Sequence, residues 1–223
     1  MSDTTPQLLH ELVERRCAIA PDATALWWQG EQTSYAGLQR DIEQVAGRLA
    51  ADGEPGERVA VLAWNCPEFL TLMYAVPAAG QLLVPLNARL APAEWREQLA
   101  RAGVRRLFGA PELLTWLEEQ GTPDALAITA FGEAYSAWRE RPVAPLPPVE
   151  TGDNAWLLFT SGSTGRPKGA LLSHASFLAG LESAALGRPV EPSDRYYYPF
   201  PLFHVAAHNV MLQHQYGAAV VLT

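Results

Sequence analysis

Short apolar runs alternate with helical segments of about ten residues through the first 130 positions. The strand-like runs are "RVAVLA", "LLVPLN", "VRRLFG" and "ALAITAF". Between them lie a helix starting near Pro67, "PAEWREQLARAG" and "PELLTWLEEQG". Strands separated by helices of that length form βαβ units, because parallel neighbours need a long crossover. The alternation therefore predicts an α/β fold of mostly parallel sheets flanked by helices. The chain has 223 residues, 48% hydrophobic and 18% charged, enough for one large domain or two small ones with a sizeable core.

The ends of the chain extend this pattern. Thr5-Pro6 predicts a helix start, followed by Leu8, Leu9, Leu12, Val13 and Cys17 at helical spacing. "TALWW" reads as a strand turned by "QGEQ". Ser34 is the expected cap of a helix with Leu38, Ile42, Val45 and Leu49 on one face and Gly53 at its end. "RPVAPLPPVETGD" is proline-rich and without period, and is the best candidate boundary. The expected division is an N-terminal α/β part over 1–140, a connector over 141–153 and a second α/β segment over 154–223. That segment holds the strand "NAWLLF", a small-residue loop, the strand "GALLS", a helix from about His174, the run "DRYYYPFPLFH", a helix "VAAHNVMLQHQYG" and a closing strand "AAVVLT".

Net charge is −8 and the sequence pI about 5.1. No basic face for nucleic acid is expected, although a local anion site is compatible with that balance. Cys17 and Cys66 have neither metal-like nor framework spacing and read as small buried thiols on helices. "MSDTTPQLLHELVERR" lacks the order of a signal peptide, and no apolar run approaches the roughly 20 residues of a membrane span. The expected location is cytoplasmic.

The segment Thr160–Gly169, "TSGSTGRPKG", loses almost all side-chain bulk directly after an apolar strand. Glycines permit positive φ and close backbone approach. Successive N–H groups in such turns form a nest for phosphate oxygens. The hydroxyls of Thr160, Ser161, Ser163 and Thr164 add donors, Lys168 adds positive charge and Pro167 stiffens the chain before it. A plain hairpin tip is the simpler reading, but such tips usually take two to five residues. The G-x-x-x-x-G-K-[ST] phosphate loop fits poorly: Pro167 stands where its second glycine should be, and Gly169 where Ser or Thr should follow the lysine.

"TSGSTGRPKG" closely resembles the phosphate-loop signature of the adenylate-forming superfamily, which includes acyl- and aryl-CoA ligases, luciferases and peptide-synthetase adenylation domains. "TSYAGLQRDIEQVAGRL", "MYAVPAAGQLLVPLNARLAPAEWREQL" and "YYYPFPLFHVAAHN" resemble further family motifs, so nearly the whole chain is covered. The resemblance implies the fold of that family's N-terminal domain, incomplete here. It also implies ATP-dependent activation of a carboxylic acid as acyl-adenylate, with pyrophosphate released and coenzyme A then forming a thioester. ATP, Mg²⁺ and coenzyme A are the implied cofactors, and a small carboxylic acid the implied partner. By the same resemblance Thr160, Ser161, Gly162, Ser163, Thr164, Gly165, Lys168 and Gly169 wrap the β- and γ-phosphates, and Ser161 or Thr164 contacts magnesium. His204 falls on the "P-x-F-H" histidine, where the acid pocket meets the adenylate. Lys168 and His204 are the candidate catalytic residues.

Other histidines carry less. His204 and His208, four apart, could share a helix face, but Val205 replaces the glutamate of an H-E-x-x-H zinc motif. His174 reads as a helix-start residue, and His208 and His214 as satisfied or surface side chains. Tyr196, Tyr197, Tyr198, Phe200 and Phe203 fit an acyl pocket or a core equally well. The family's adenine, ribose and C-terminal lid segments have no counterpart in these residues. The final "GAAVVLT" reads as an unpaired apolar strand at a sheet edge, which invites a homodimer or a partner chain. The expectation is a ligase's N-terminal part, inactive alone; the alternative is a stand-alone, non-catalytic nucleotide- or acyl-binding protein of the same fold.

Overall fold

The computed structural model of the chain describes residues 5–160 and 168–223. The first helix, α1, runs Glu11–Ile19. It starts later than Thr5-Pro6 suggests: residues 8–10 form a turn before it, and the Glu11 carboxylate accepts the Gln7 and Leu8 N–H groups of that lead-in. Strands β1 (Thr24–Trp28) and β2 (Glu31–Ser34) form the expected hairpin. Its two turn residues, Gln29 at φ 49° and Gly30 at φ 88°, both lie in the left-handed region, as a two-residue mirror turn requires.

Helix α2 spans Tyr35–Asp52, and the Ser34 hydroxyl accepts the Gly37 N–H at 3.1 Å, as expected of the cap. Leu38, Ile42, Val45 and Leu49 are all buried. Gly53 ends the helix, but in extended backbone at φ −158°. Glycine serves there through space: a Cβ would lie 2.4 Å from Glu57 Oε2.

The predicted alternation follows. Strand β3 (Arg58–Leu62), α3 (Pro67–Ala78), β4 (Leu82–Pro85), α4 (Pro92–Ala102), β5 (Arg106–Gly109), α5 (Pro111–Glu119) and β6 (Ala127–Ala130) succeed one another. Every residue of α3 from Phe69 to Ala78 is buried. A helix apolar on all sides has no face for water, and α3 packs on α2 on one side and on β4 and β7 on the other. Helix α6 (Glu133–Arg139) is absent from the sequence reading because seven residues are too few for a visible period. It buries Tyr135 and Trp138 against Phe108. Cys66 precedes α3 as its cap residue rather than sitting on a helix, whereas Cys17 lies on α1; both are free and partly buried. Burial, then the nearby Glu68, pushes the Cys66 thiol up.

Residues 141–150 carry no helix or strand and run along α2. Ala144 N–H donates to the Gly47 carbonyl at 2.9 Å, and a Cβ at Gly47 would meet Val143 Cβ at 2.9 Å. Then come β7 (Asn154–Thr160), β8 (Lys168–Ser173), α7 (His174–Gly187), β9 (Arg195–Tyr198), a 3₁₀ turn (Val205–Ala207), α8 (His208–Tyr216) and β10 (Ala219–Leu222).

Two sheets result, with orders β6-β5-β3-β4-β7-β8 and β2-β1-β10-β9. The first is parallel except for β8; in the second, β1, β10 and β9 are parallel and β2 is antiparallel. Strands from both sides of 141–153 share both sheets. The closing strand is not at an edge. Leu26 pairs with Val220 on one side, and Tyr196 with Val220 on the other. An unpaired β10 therefore gives no reason for association. Among the described residues, no helix is long and apolar enough to cross a membrane.

Candidate nucleotide and acid site

Strands β3, β4, β5 and β7 are mutually parallel, so Leu62, Pro85, Gly109 and Thr160 end at one edge of the six-stranded sheet. Ligands of open α/β sheets sit at that carboxyl edge, where strand ends and helix starts leave main-chain groups unused. The small-residue loop leaves from there. Thr160 and Lys168 face each other across β7 and β8, and Thr160 Oγ1 donates to the Lys168 carbonyl at 3.3 Å. Seven residues separate this facing pair, more than a tight hairpin needs. Lys168 and Gly169 are exposed. A Cβ at Gly169 would sit 3.2 Å from Leu157 Cδ2, so a side chain there would press on Leu157 across the β7–β8 pair. Ser161, Gly162, Ser163, Thr164 and Gly165 lie outside the described residues.

The second part of the site is built on the end of β3. Asn65, two residues beyond Ala63, donates from Nδ2 to the carbonyls of Phe200 and Thr223, both at 3.0 Å, and accepts the Leu202 N–H at Oδ1 at 2.8 Å. Trp64 packs on Phe203 with ring centroids 6.2 Å apart. These contacts hold residues 199–204, and with them His204, at the edge from which the loop departs. Strands lie about 4.8 Å apart, so Lys168 on β8 stands roughly 15 Å along the sheet from the end of β3. No contact joins Lys168 to His204 among the described residues.

His204 is exposed, and its Nδ1 accepts the Ala206 N–H at 3.1 Å. The neutral ring therefore carries its proton on Nε2, which has no protein partner among the described residues. His208 begins α8 while His204 precedes the 3₁₀ turn, so the two do not share a helix face. His208 Nδ1 lies 3.1 Å from the Val205 carbonyl. The aromatic run divides. Tyr198 is fully buried and its hydroxyl donates to the Pro201 carbonyl at 3.1 Å; Phe203 is buried, while Tyr197 and Phe200 are exposed.

His174 and His214 are structural. His174 starts α7 as expected, is buried, and its Nδ1 accepts the Leu9 N–H at 3.1 Å. His214 is fully enclosed: Nε2 lies 3.1 Å from the Ala25 carbonyl and Nδ1 2.7 Å from the Tyr74 hydroxyl. The carbonyl can only accept, so the proton is on Nε2 and Tyr74 donates to Nδ1. Burial pulls both imidazoles down to about 4.

The model of the AMP-binding enzyme family matches residues 13–223. The chain belongs to the AMP-binding enzyme family. Among its AMP-binding relatives, a feruloyl-CoA synthase of Amycolatopsis sp. is 37% identical over 194 residues, covering 86% of this chain and 39% of the relative. An indoleacetate–CoA ligase of Aromatoleum aromaticum is 33% identical, covering 90% of this chain and 42% of the relative. The structure of a Mycobacterium tuberculosis fatty acyl CoA synthetase superposes with a TM-score of 0.87 at 26% identity, over 97% of this chain and 45% of that one. The chain thus spans about two fifths of the length of these curated relatives. Their names place acid–CoA ligases in this AMP-binding family, and their fold is the expected one of mostly parallel sheets flanked by helices.

Proposed function

We propose that this chain supplies the N-terminal, phosphate-binding part of an ATP-dependent carboxylic acid–CoA ligase that acts in the cytoplasm. The reading rests on one arrangement: Thr160 and Lys168 face each other at the mouth of the glycine-hydroxyl loop, on the sheet edge that also carries His204. In the first step a carboxylate oxygen attacks the α-phosphorus of ATP and the bond to pyrophosphate breaks. In the second the coenzyme A sulfur attacks the acyl carbon and AMP leaves. Negative charge grows on the departing pyrophosphate, so fixed donors and cations around it lower the barrier. The exposed Lys168 ammonium and the Thr160 hydroxyl suit that oxygen-rich group. Ser161 and Thr164 are the proposed magnesium contacts, and Mg²⁺ there would neutralise charge on the phosphates. His204 offers Nε2 where the acid would lie beside the adenylate.

The deciding experiment is acid-dependent ATP–pyrophosphate exchange with a panel of aryl and acyl acids. The protein in its natural length is expected to exchange. The 223-residue chain alone is expected not to, because positioning of the reactants contributes about 7–11 kcal/mol to such a step and the relatives' remaining length supplies part of it. Release of free phosphate without acid would refute the ligase reading. Nucleotide binding without exchange in the natural-length protein would favour the non-catalytic alternative.

Lys168→Ala in the natural-length protein is expected to slow exchange roughly ten- to a hundredfold, since a charge-assisted hydrogen bond contributes about 1.5–3 kcal/mol. Unchanged exchange kinetics would remove Lys168 from the phosphate site.

A further inference from the structure

We propose that Asn65 is a positioning residue that acts through His204. The inference rests on the reading of His204 as a residue beside the acid. Residues 199–204 run between β9 and the 3₁₀ turn without a strand partner, so their main-chain groups need partners from elsewhere. Three bonds are local: the Tyr198 hydroxyl and the His204 N–H both reach the Pro201 carbonyl, and the Ala207 N–H reaches the His204 carbonyl. Among the described residues, Asn65 alone reaches this stretch by hydrogen bonds from a distant part of the chain, taking one carbonyl and one N–H of it. The same amide holds the Thr223 carbonyl beyond β10. One side chain therefore joins the end of β3, the end of β10 and the turn bearing His204.

The chemistry is specific to asparagine. Two carbonyls face Nδ2 and one N–H faces Oδ1, so only one amide orientation satisfies all three. Aspartate has the same shape but would set a carboxylate against the Phe200 and Thr223 carbonyl oxygens. Leucine would fill the space and bond to none of the three. Trp64, the adjacent residue, meets Phe203 by ring contact, so the second and third positions after β3 both address this turn.

Three measurements test the proposal. In the 223-residue chain, Asn65→Leu is expected to lower hydrogen-exchange protection of the Leu202 amide about tenfold, while Val61 and Leu62 amides in β3 stay protected. The His204 imidazole is expected to change from the single Nε2–H tautomer to a mixture, read by nitrogen chemical shifts. Asn65→Asp, which keeps the side chain's shape and cannot donate, is expected to give the same imidazole change.

In the natural-length protein, Asn65→Leu is expected to lower kcat/KM for the acid about tenfold and to leave the KM for ATP within about twofold. Added to His204→Ala, it is expected to cause less than about twofold further loss, because residues acting through one another are not additive. A residue with a merely structural role would multiply with His204→Ala and weaken ATP as well, and that result would overturn the proposal. So would a protected Leu202 amide or an unchanged His204 tautomer in Asn65→Leu. If the unsubstituted natural-length protein shows no exchange, the ligase reading fails and with it the role beside the acid. The hold on the His204 turn is then judged by the amide and imidazole measurements alone.

Discussion

Lowering the pH from 7.5 to 4.5 is expected to cost the fold about 5 kcal/mol through His174 and His214 together. Burial is the main cause for both, and it brings each imidazole from 6.5 down to about 4. For His174 the charge of His10 adds to the effect, while Asp153 and Glu11 oppose it. For His214 the bond to Ala25 opposes it. The folded state thus holds both rings neutral in a range where the unfolded chain protonates them. Their contribution is complete above pH 6.5 and is lost as the pH falls through the window from 6.5 to about 4. Each histidine contributes on the order of 3 kcal/mol when fully expressed, and about 2–3 kcal/mol of that is lost by pH 4.5. Urea unfolding at the two pH values measures the drop. His214→Gln has a stability cost of its own, but the quantity of interest is the pH-dependent part, which should fall by about half. If the variant retains the full drop, His214 does not carry it.

Asp52→Ala is expected to destabilise the protein by about 3–5 kcal/mol, since removing one partner of a buried ion cluster leaves the others charged and unpaired. Asp52 closes α2 and is only 12% exposed at its side chain. Its Oδ1 is paired with Arg48; its Oδ2 accepts from Arg106 at 2.9 Å and from Trp138 Nε1 at 2.8 Å. Arg48 also donates to the Pro142 carbonyl, and the Arg106 guanidinium stacks 5.7 Å from the Trp138 ring. One carboxylate therefore fastens α2, β5, α6 and the chain leaving α6. Against a typical total of about 5–15 kcal/mol, that loss is a large fraction. Guanidinium unfolding of the variant checks it, with Asp52→Asn expected in between because the amide keeps one acceptor. A loss under about 1 kcal/mol in Asp52→Ala would show that the two arginines find water instead.

Much of the scaffold is legible in the sequence. The period of "RVAVLA", "LLVPLN", "PAEWREQLARAG" and "PELLTWLEEQG" depends on neighbours within one turn or one pleat, so β3, β4, α4 and α5 appear where expected. Ser34 capped α2 because a cap is a bond across three residues. The glycines, hydroxyls and lysine of the loop are adjacent in the chain and so stand out in the sequence, as do the strands on either side of it; that those two strands pair antiparallel with each other is a finding of the structure. The resemblance to adenylate-forming enzymes, carried by that loop and three other motifs, agrees with the family to which the chain belongs.

What local pattern could not show were the pairings between distant residues. "AAVVLT" was recognisable as a strand, but its place between β1 and β9 depends on how α1, α2 and α8 pack behind that sheet. Asn65, Asp52 and His214 looked ordinary in the sequence, since each is defined by partners far along the chain: Phe200, Leu202 and Thr223; Arg106 and Trp138; Ala25 and Tyr74. Side-chain periodicity is set by the backbone's own geometry and is written into consecutive residues. A buried polar group acquires its role only when folding removes water and brings one particular donor or acceptor to it. The strands and helices, and the run of glycines and hydroxyls between β7 and β8, accordingly belong to the sequence, while the bonds of Asn65 to the 199–204 turn, the Asp52 cluster and the neutral buried histidines exist only in the assembled fold.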